Sequence, residues 1–153
     1  MIKIGVLDLD RQEAIEALLR GFVTDFPIEI YHDICQPLDI FIVNKIPEGY
    51  SVYPENISAK TIIANSDDKH VLRFVTSLNG QIITYGLNSK AAITASSHFD
   101  DIYVICVQRA MASIHDVPIL PREFSVKIND YRGFDGEVMG AISAALICGA
   151  CFE

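Results

Sequence analysis

The chain has 153 residues, 50% of them hydrophobic and 21% charged, a length and balance that suit one globular domain with a sizeable core. With 20 acidic and 12 basic residues its formal charge is −8, which repels phosphate backbones and argues against general nucleic-acid binding. The opening stretch 1–7 is apolar too briefly for a secretory leader, and the apolar stretch 138–152 is short for a membrane span, so a cytoplasmic protein without a membrane anchor is expected.

Residues 2–7 form a short apolar run without helical period and read as a buried strand. Asp10 is then placed to cap a helix, with Glu13 completing a capping box. Ala14, Ile15, Leu18, Leu19 and Phe22 recur at helical spacing, while Arg11, Glu16 and Arg20 take the opposite face. A strand over 28–31 and a loop through Pro37 follow. The run 39–44 is continuously apolar, as a parallel strand buried on both faces should be. Residues 45–60 contain Pro47, Gly49 and Pro54 and read as a loop with one short extended piece. Next, Thr61-Ile62-Ile63-Ala64-Asn65-Ser66-Asp67-Asp68 reads as a buried strand running into a polar elbow. The spacing predicts a helix over 67–78, stopped by Asn79-Gly80 through glycine's freedom at positive φ.

A strand over 81–86 completes the order β-α-β-β-β-α-β, which predicts an α/β fold with a layered, mostly parallel sheet and flanking helices. The runs 92–96, 102–108 and 124–128 are β-rich and separated by turns, and predict a small antiparallel β extension. Residues 136–151 return to helix, kept slim by Gly140, Ala141, Ser143, Ala144 and Ala145 so that it can lie close to a sheet or to a partner. Without a repeat or linker, 1–153 is read as a single domain.

From here the chain resembles the central domain of the Mur ligases, ATP-dependent amide-forming enzymes of peptidoglycan precursor synthesis. Ile62-Ile63-Ala64-Asn65-Ser66-Asp67-Asp68 is similar to the family's N-x-D-D strand end. Gln81-Ile82-Ile83-Thr84-Tyr85-Gly86-Leu87, Ala91-Ala92-Ile93-Thr94-Ala95-Ser96 and the small-residue helix from Gly140 resemble the segments that follow. Asp39-Ile40-Phe41-Ile42-Val43-Asn44 resembles an earlier strand ending in asparagine, so the likeness covers roughly 39–150. It implies a layered, mostly parallel sheet, and it makes Asn65 a candidate for recognising the adenine of ATP with its amide.

The departures bear on activity. The family's phosphate loop ends in Gly-Lys-Thr/Ser, and here the first strand runs into Gly5-Val6-Leu7-Asp8-Leu9-Asp10, whose carboxylates repel a triphosphate. Lys45-Ile46-Pro47 stands where the family has an Asp-His pair. The magnesium ligands and the modified lysine have no counterparts, and the lead into the last helix, Gly133-Phe134-Asp135-Gly136-Glu137-Val138-Met139-Gly140, lacks the family's amides. A C-terminal ligase domain, which in the family brings the incoming amino acid, is not expected either.

Each candidate residue has a structural alternative. Asn65 can end its strand, and Asp67 or Asp68 can cap the next helix, in place of binding a cofactor. Asp8, Asp10 and Asn44 lie at the carboxyl ends of strands, the edge where α/β sheets place ligands. His32, His70, His98 and His115 show no metal-ligand spacing, so no metal site is assigned. A pairing of His32 with Cys35 is generic, and Arg109, Arg122 and Arg132 read as surface positions. The four cysteines, Cys35, Cys106, Cys148 and Cys151, are expected to be reduced in the cytosol. Cys148-Gly149-Ala150-Cys151 lacks a second ligand pair for zinc and sits at the wrong end of a helix for thiol redox work, so it reads as packing.

These features predict a non-catalytic Mur-ligase-like binding or regulatory module or subunit, without catalytic residues or a resident cofactor. A homodimer or protein partner is expected, with a nucleotide or UDP-linked precursor as an alternative ligand. The competing readings are a small enzyme or a nucleotide sensor using the crevice around Asp8 and Asn65.

Overall fold

A computed structural model describes residues 1–8, 11–32, 36–46, 50, 57–129, 131 and 133–152. The elements in chain order are β1 (Ile2–Leu7), α1 (Gln12–Phe22), β2 (Ile28–Tyr31), β3 (Leu38–Val43), β4 (Ala59–Asn65), α2 (Lys69–Val75), β5 (Gln81–Tyr85), β6 (Ile93–Phe99), β7 (Ile102–Val107), β8 (Met111–Ala112), β9 (Pro118–Ile119), β10 (Arg122–Lys127) and α3 (Asp135–Cys148). Eight strands form one mixed, mostly parallel sheet in the order β10-β7-β6-β5-β4-β3-β1-β2, and β8 pairs with β9 in a separate two-stranded sheet.

The continuous apolar runs become β1, β3 and β4 because both faces of these strands are covered. Ile4, Val6, Ile40, Ile42 and Ile63 face a core shared with α1 and α3. Phe41, Val43, Ile62 and Ala64 face the opposite core with Val71 and Val75 of α2. Side chains alternate across a strand, so a strand between two helical layers must be apolar at every position. The antiparallel strands are covered differently. In β10, Phe124 and Val126 are buried while Glu123, Ser125 and Lys127 are exposed, the alternation of a sheet with one wet face.

The expected antiparallel extension is continuous with the main sheet. β5 and β6 are joined in parallel at Tyr85 and Ile93, and β7 and β10 then add antiparallel strands. Three further boundaries differ from expectation. The N-cap of α1 is Arg11, which makes no side-chain cap; Asp10 lies outside the described residues. The backbone N–H of Arg11 instead donates to Asp8 Oδ1 at 2.9 Å. α2 starts at its cap, Asp68, whose carboxylate accepts the N–H groups of His70 and Val71, and it is shorter than the periodicity suggests. Its exit is closed by hydroxyls, Thr76 Oγ1 donating to the Arg73 carbonyl at 2.8 Å and Ser77 Oγ to that of Phe74 at 2.7 Å. Gly80, at φ +145°, therefore serves the turn into β5 and not the helix end.

α3 is buried throughout from Glu137 to Cys148, so its small residues serve the monomer's own core and offer no outer surface to a partner. Gly140 lets it approach the sheet, since a Cβ there would sit 2.9 Å from Tyr85 Oη. Gly149, at φ +104°, ends it in the left-handed conformation that glycine adopts freely. Among the described residues no helix is long and apolar enough to cross a membrane.

Candidate functional site

The parallel register brings four polar residues into a row at the carboxyl ends of adjacent strands. Asp8 follows β1, Asn44 follows β3, Asn65 ends β4 and Tyr85 ends β5, and all four are buried. They are hydrogen-bonded to one another. Asn44 Nδ2 donates to Asp8 Oδ2 at 2.6 Å, while Asn44 Oδ1 accepts Tyr85 Oη at 2.6 Å and Asn65 Nδ2 at 3.2 Å. Asn65 Nδ2 also lies 3.2 Å from the Asn44 carbonyl, and Asn65 Oδ1 accepts the Asp67 N–H at 3.0 Å. Burial, reinforced by the charges of Asp8 and Asp67, raises the Tyr85 phenol well above its ordinary range and keeps it a donor.

The first turn of α3 lies over this row, where a Cβ on Gly136 would come within 3.1 Å of Asn44 Oδ1. At the third helical position the fully buried Glu137 carboxylate accepts the Phe134 N–H at 3.1 Å and pairs with Arg11 Nε at 3.1 Å. Tyr131 Oη donates to its second oxygen. The Glu137 hydrogen bond and charge raise the Arg11 pKa, and burial followed by the same carboxylate raises that of Tyr131. A carboxylate at a helix amino end is favoured by the N–H groups and dipole there. Glu137 thus supplies, from the chain itself, the anion such an end attracts.

Asp67 and Asp68 point apart. Asp68 caps α2, whereas Asp67 accepts the N–H groups of Leu87 and Asn88 at 2.7 and 3.2 Å and the Asn88 side-chain amide at 2.8 Å. The structure therefore unites Asp8, Asn44 and Asn65 and assigns the two aspartates to local work; Asp10 lies outside the described residues. Arg11, Tyr85, Tyr131 and Glu137 belong to the same cluster and were not among the sequence candidates. A partial signal existed for Glu137, the last charge before the uncharged remainder of a 14-residue helix.

Elsewhere, His32 Nε2 lies 2.9 Å from Glu16 Oε2, which lowers the Glu16 pKa, while Cys35 is outside the described residues. His98 stacks on Tyr103 at 3.8 Å and lies 3.3 Å from Asp135, which also accepts the Tyr103 hydroxyl. Arg109 and Arg122 are exposed, as expected; Arg132 is not described. Cys148 is buried, and desolvation pushes its thiol up to about 12, as packing requires, whereas Cys151 is exposed. No group of three or more His, Cys, Asp or Glu side chains placed to hold a metal occurs among the described residues.

The donor set decides the fit of ATP, the cofactor of the resembled family. A triphosphate needs free backbone N–H groups and cations. Here the N–H of Arg11 is bonded to Asp8, the Arg11 guanidinium to Glu137, and the Asn65 amide to Asn44 and Asp67. Among the described residues, these strand-end groups do not fit that ligand. No family model matches the chain, and no curated protein matches it in sequence.

Proposed function

We propose that this chain is a non-catalytic α/β domain related to the central domain of the Mur ligases, acting as a binding or regulatory module or subunit in peptidoglycan precursor metabolism. The observation that carries the reading is the saturation of the strand-end crevice. Its polar groups are bonded to each other, and among the described residues no buried side-chain N or O lacks a partner. Phosphoryl transfer is largely positioning and charge stabilisation by groups held open for the substrate, and the buried side-chain groups of this cluster are already partnered. The likeness in the order of strands and helices from Asp39 to the last helix supports the family part of the proposal. A second copy or another protein is the proposed partner, recognised away from the buried α3.

The test combines ATP turnover with magnesium and calorimetry of the full chain with ATP and with a UDP-linked muramyl precursor. The expected results are no hydrolysis and no ATP heat. Magnesium-dependent hydrolysis that disappears in an Asp8→Asn variant would sink the non-catalytic reading. The precursor arm addresses the pathway, and saturable heat there identifies the ligand the module senses.

A further inference from the structure

Far from the polar cluster, at the carboxyl end of α3, Phe26, Ile119, Leu146 and Phe152 line a cavity of ≈ 350 Å³. Val117 and Leu120 stand exposed at its rim, and Arg122 is a cation in its wall. The guanidinium of Arg122 lies 4.8 Å over the Phe124 ring, Phe124 stacks on Phe152 at 5.2 Å, and Phe152 meets Phe22 edge-on at 5.5 Å. Arg11, Arg20 and Lys60 are each paired with a carboxylate, whereas Arg122 has no such partner among the described residues.

We propose that this cavity binds a free medium-chain carboxylate, with the alkyl tail among the aromatic and aliphatic side chains and the head group on Arg122. Volume sets the tail length. A methylene takes up about as much room as a water molecule, whose share of liquid volume is about 30 Å³, so the cavity holds a chain of roughly ten carbons. Charge selects the head group. In a chain of net charge −8, a cation with no acidic partner among the described residues, beside an apolar space, favours an amphiphilic anion over a neutral or cationic one. Contact with Phe124 holds the guanidinium in place, so little freedom is lost when its planar fork meets a carboxylate. This inference stands apart from the proposed function, which rests on the opposite end of α3.

Calorimetry of the full chain with decanoate, decanol and decyltrimethylammonium, each below its micelle-forming concentration, tests the proposal. Decanoate is expected to bind saturably at one site, decanol more weakly, and the cationic amphiphile not at all. Arg122→Gln should weaken decanoate about tenfold, leave decanol unchanged and move the melting temperature of the free protein by no more than a few degrees, because the side chain is exposed and gives up only its contact with Phe124. Absence of saturable decanoate heat from the folded chain overturns the proposal. So does equal decanoate affinity in the two proteins, or binding of the cationic amphiphile as tight as that of decanoate.

Discussion

At its amino end α3 lowers Gly136 and Glu137 onto a row of strand ends in which Asp8, Asn44, Asn65 and Tyr85 are bonded to one another; at its carboxyl end Leu146, Gly149 and Cys151 border an apolar cavity of ≈ 350 Å³. The same helix is closed at one end and open at the other, and the physics of the two ends differs. Buried polar groups are costly unless every one is partnered, so a polar cluster is stable only when completed, and completing it leaves nothing for a ligand. An apolar hollow makes no such demand. Leaving it unfilled sacrifices some dispersion contacts, and it remains available to a ligand of matching shape. The comparison teaches that the crevice favoured by the fold is not automatically the place where this chain has room to bind.

The sharpest way to break the comparison is Glu137→Ala. It leaves the Tyr131 hydroxyl and the Phe134 N–H without their acceptor, with the Arg11 guanidinium turned toward solvent, and should destabilise by about 3 kcal/mol. The urea midpoint should fall with an unchanged m-value. Arg122→Gln at the other end should cost no more than about 1 kcal/mol, the scale of its exposed contact with the Phe124 ring. Comparable losses at both ends would remove the distinction.

Gly140→Ala comes next. Its Cβ would lie 2.9 Å from Tyr85 Oη, forcing the phenol away from Asn44. Overpacking of this kind costs about 1–3 kcal/mol, partly offset by alanine's better helix propensity. Combined with Tyr85→Phe, which removes the clashing oxygen, the loss should be smaller than the sum of the two single losses in a double-mutant cycle. Strict additivity would mean that α3 does not rest on the strand-end row as described.

The effect that is smallest at neutral pH, and grows only in alkali, concerns the cysteines at the open end. Burial pushes the Cys148 thiol up from 9.0 to about 12. In the unfolded chain it loses its proton from about pH 9, while the folded chain keeps it, so the unfolded state binds fewer protons there. Its contribution to stability therefore falls as pH rises from about 9 to about 12, and Cys148→Ala should flatten that part of the alkaline unfolding curve. Under native conditions a thiol reagent should label exposed Cys151 and spare Cys148 until the chain unfolds.

Much of the fold was legible in the residues because strand runs and helix faces are written in local spacing. Residues 2–7 and 28–31 match β1 and β2, and the apolar runs of β3 and β4 match strands covered on both faces. After Asn65 the apolar spacing carries the predicted helix on to Leu78, which is buried, although Thr76 and Ser77 have already closed the turn. The three late β-rich runs were visible, but their attachment to the main sheet depends on the single pairing of Tyr85 with Ile93, residues from separate segments. In the site, Asp8, Asn44 and Asn65 were legible because each ends a strand at the edge where ligands gather. Arg11 and Glu137 were not, because they meet across 126 positions.

By itself the sequence determined that this is an α/β chain, where most of its strands and helices lie, and that its strand ends carry acids and amides without a phosphate loop. Those properties follow from alternation, helical period and capping, which act over a few residues. Only the tertiary structure decided what the strand ends do. Their hydrogen bonds depend on which ends the parallel register sets side by side, and on Glu137 arriving from the far end of the chain as an internal anion. The elbow at Asn65-Ser66-Asp67-Asp68, which the sequence offers both as a ligand site and as a strand end with a helix cap, makes structural bonds: Asn65 is bonded into the buried row, Asp67 holds the turn after β5, and Asp68 starts α2.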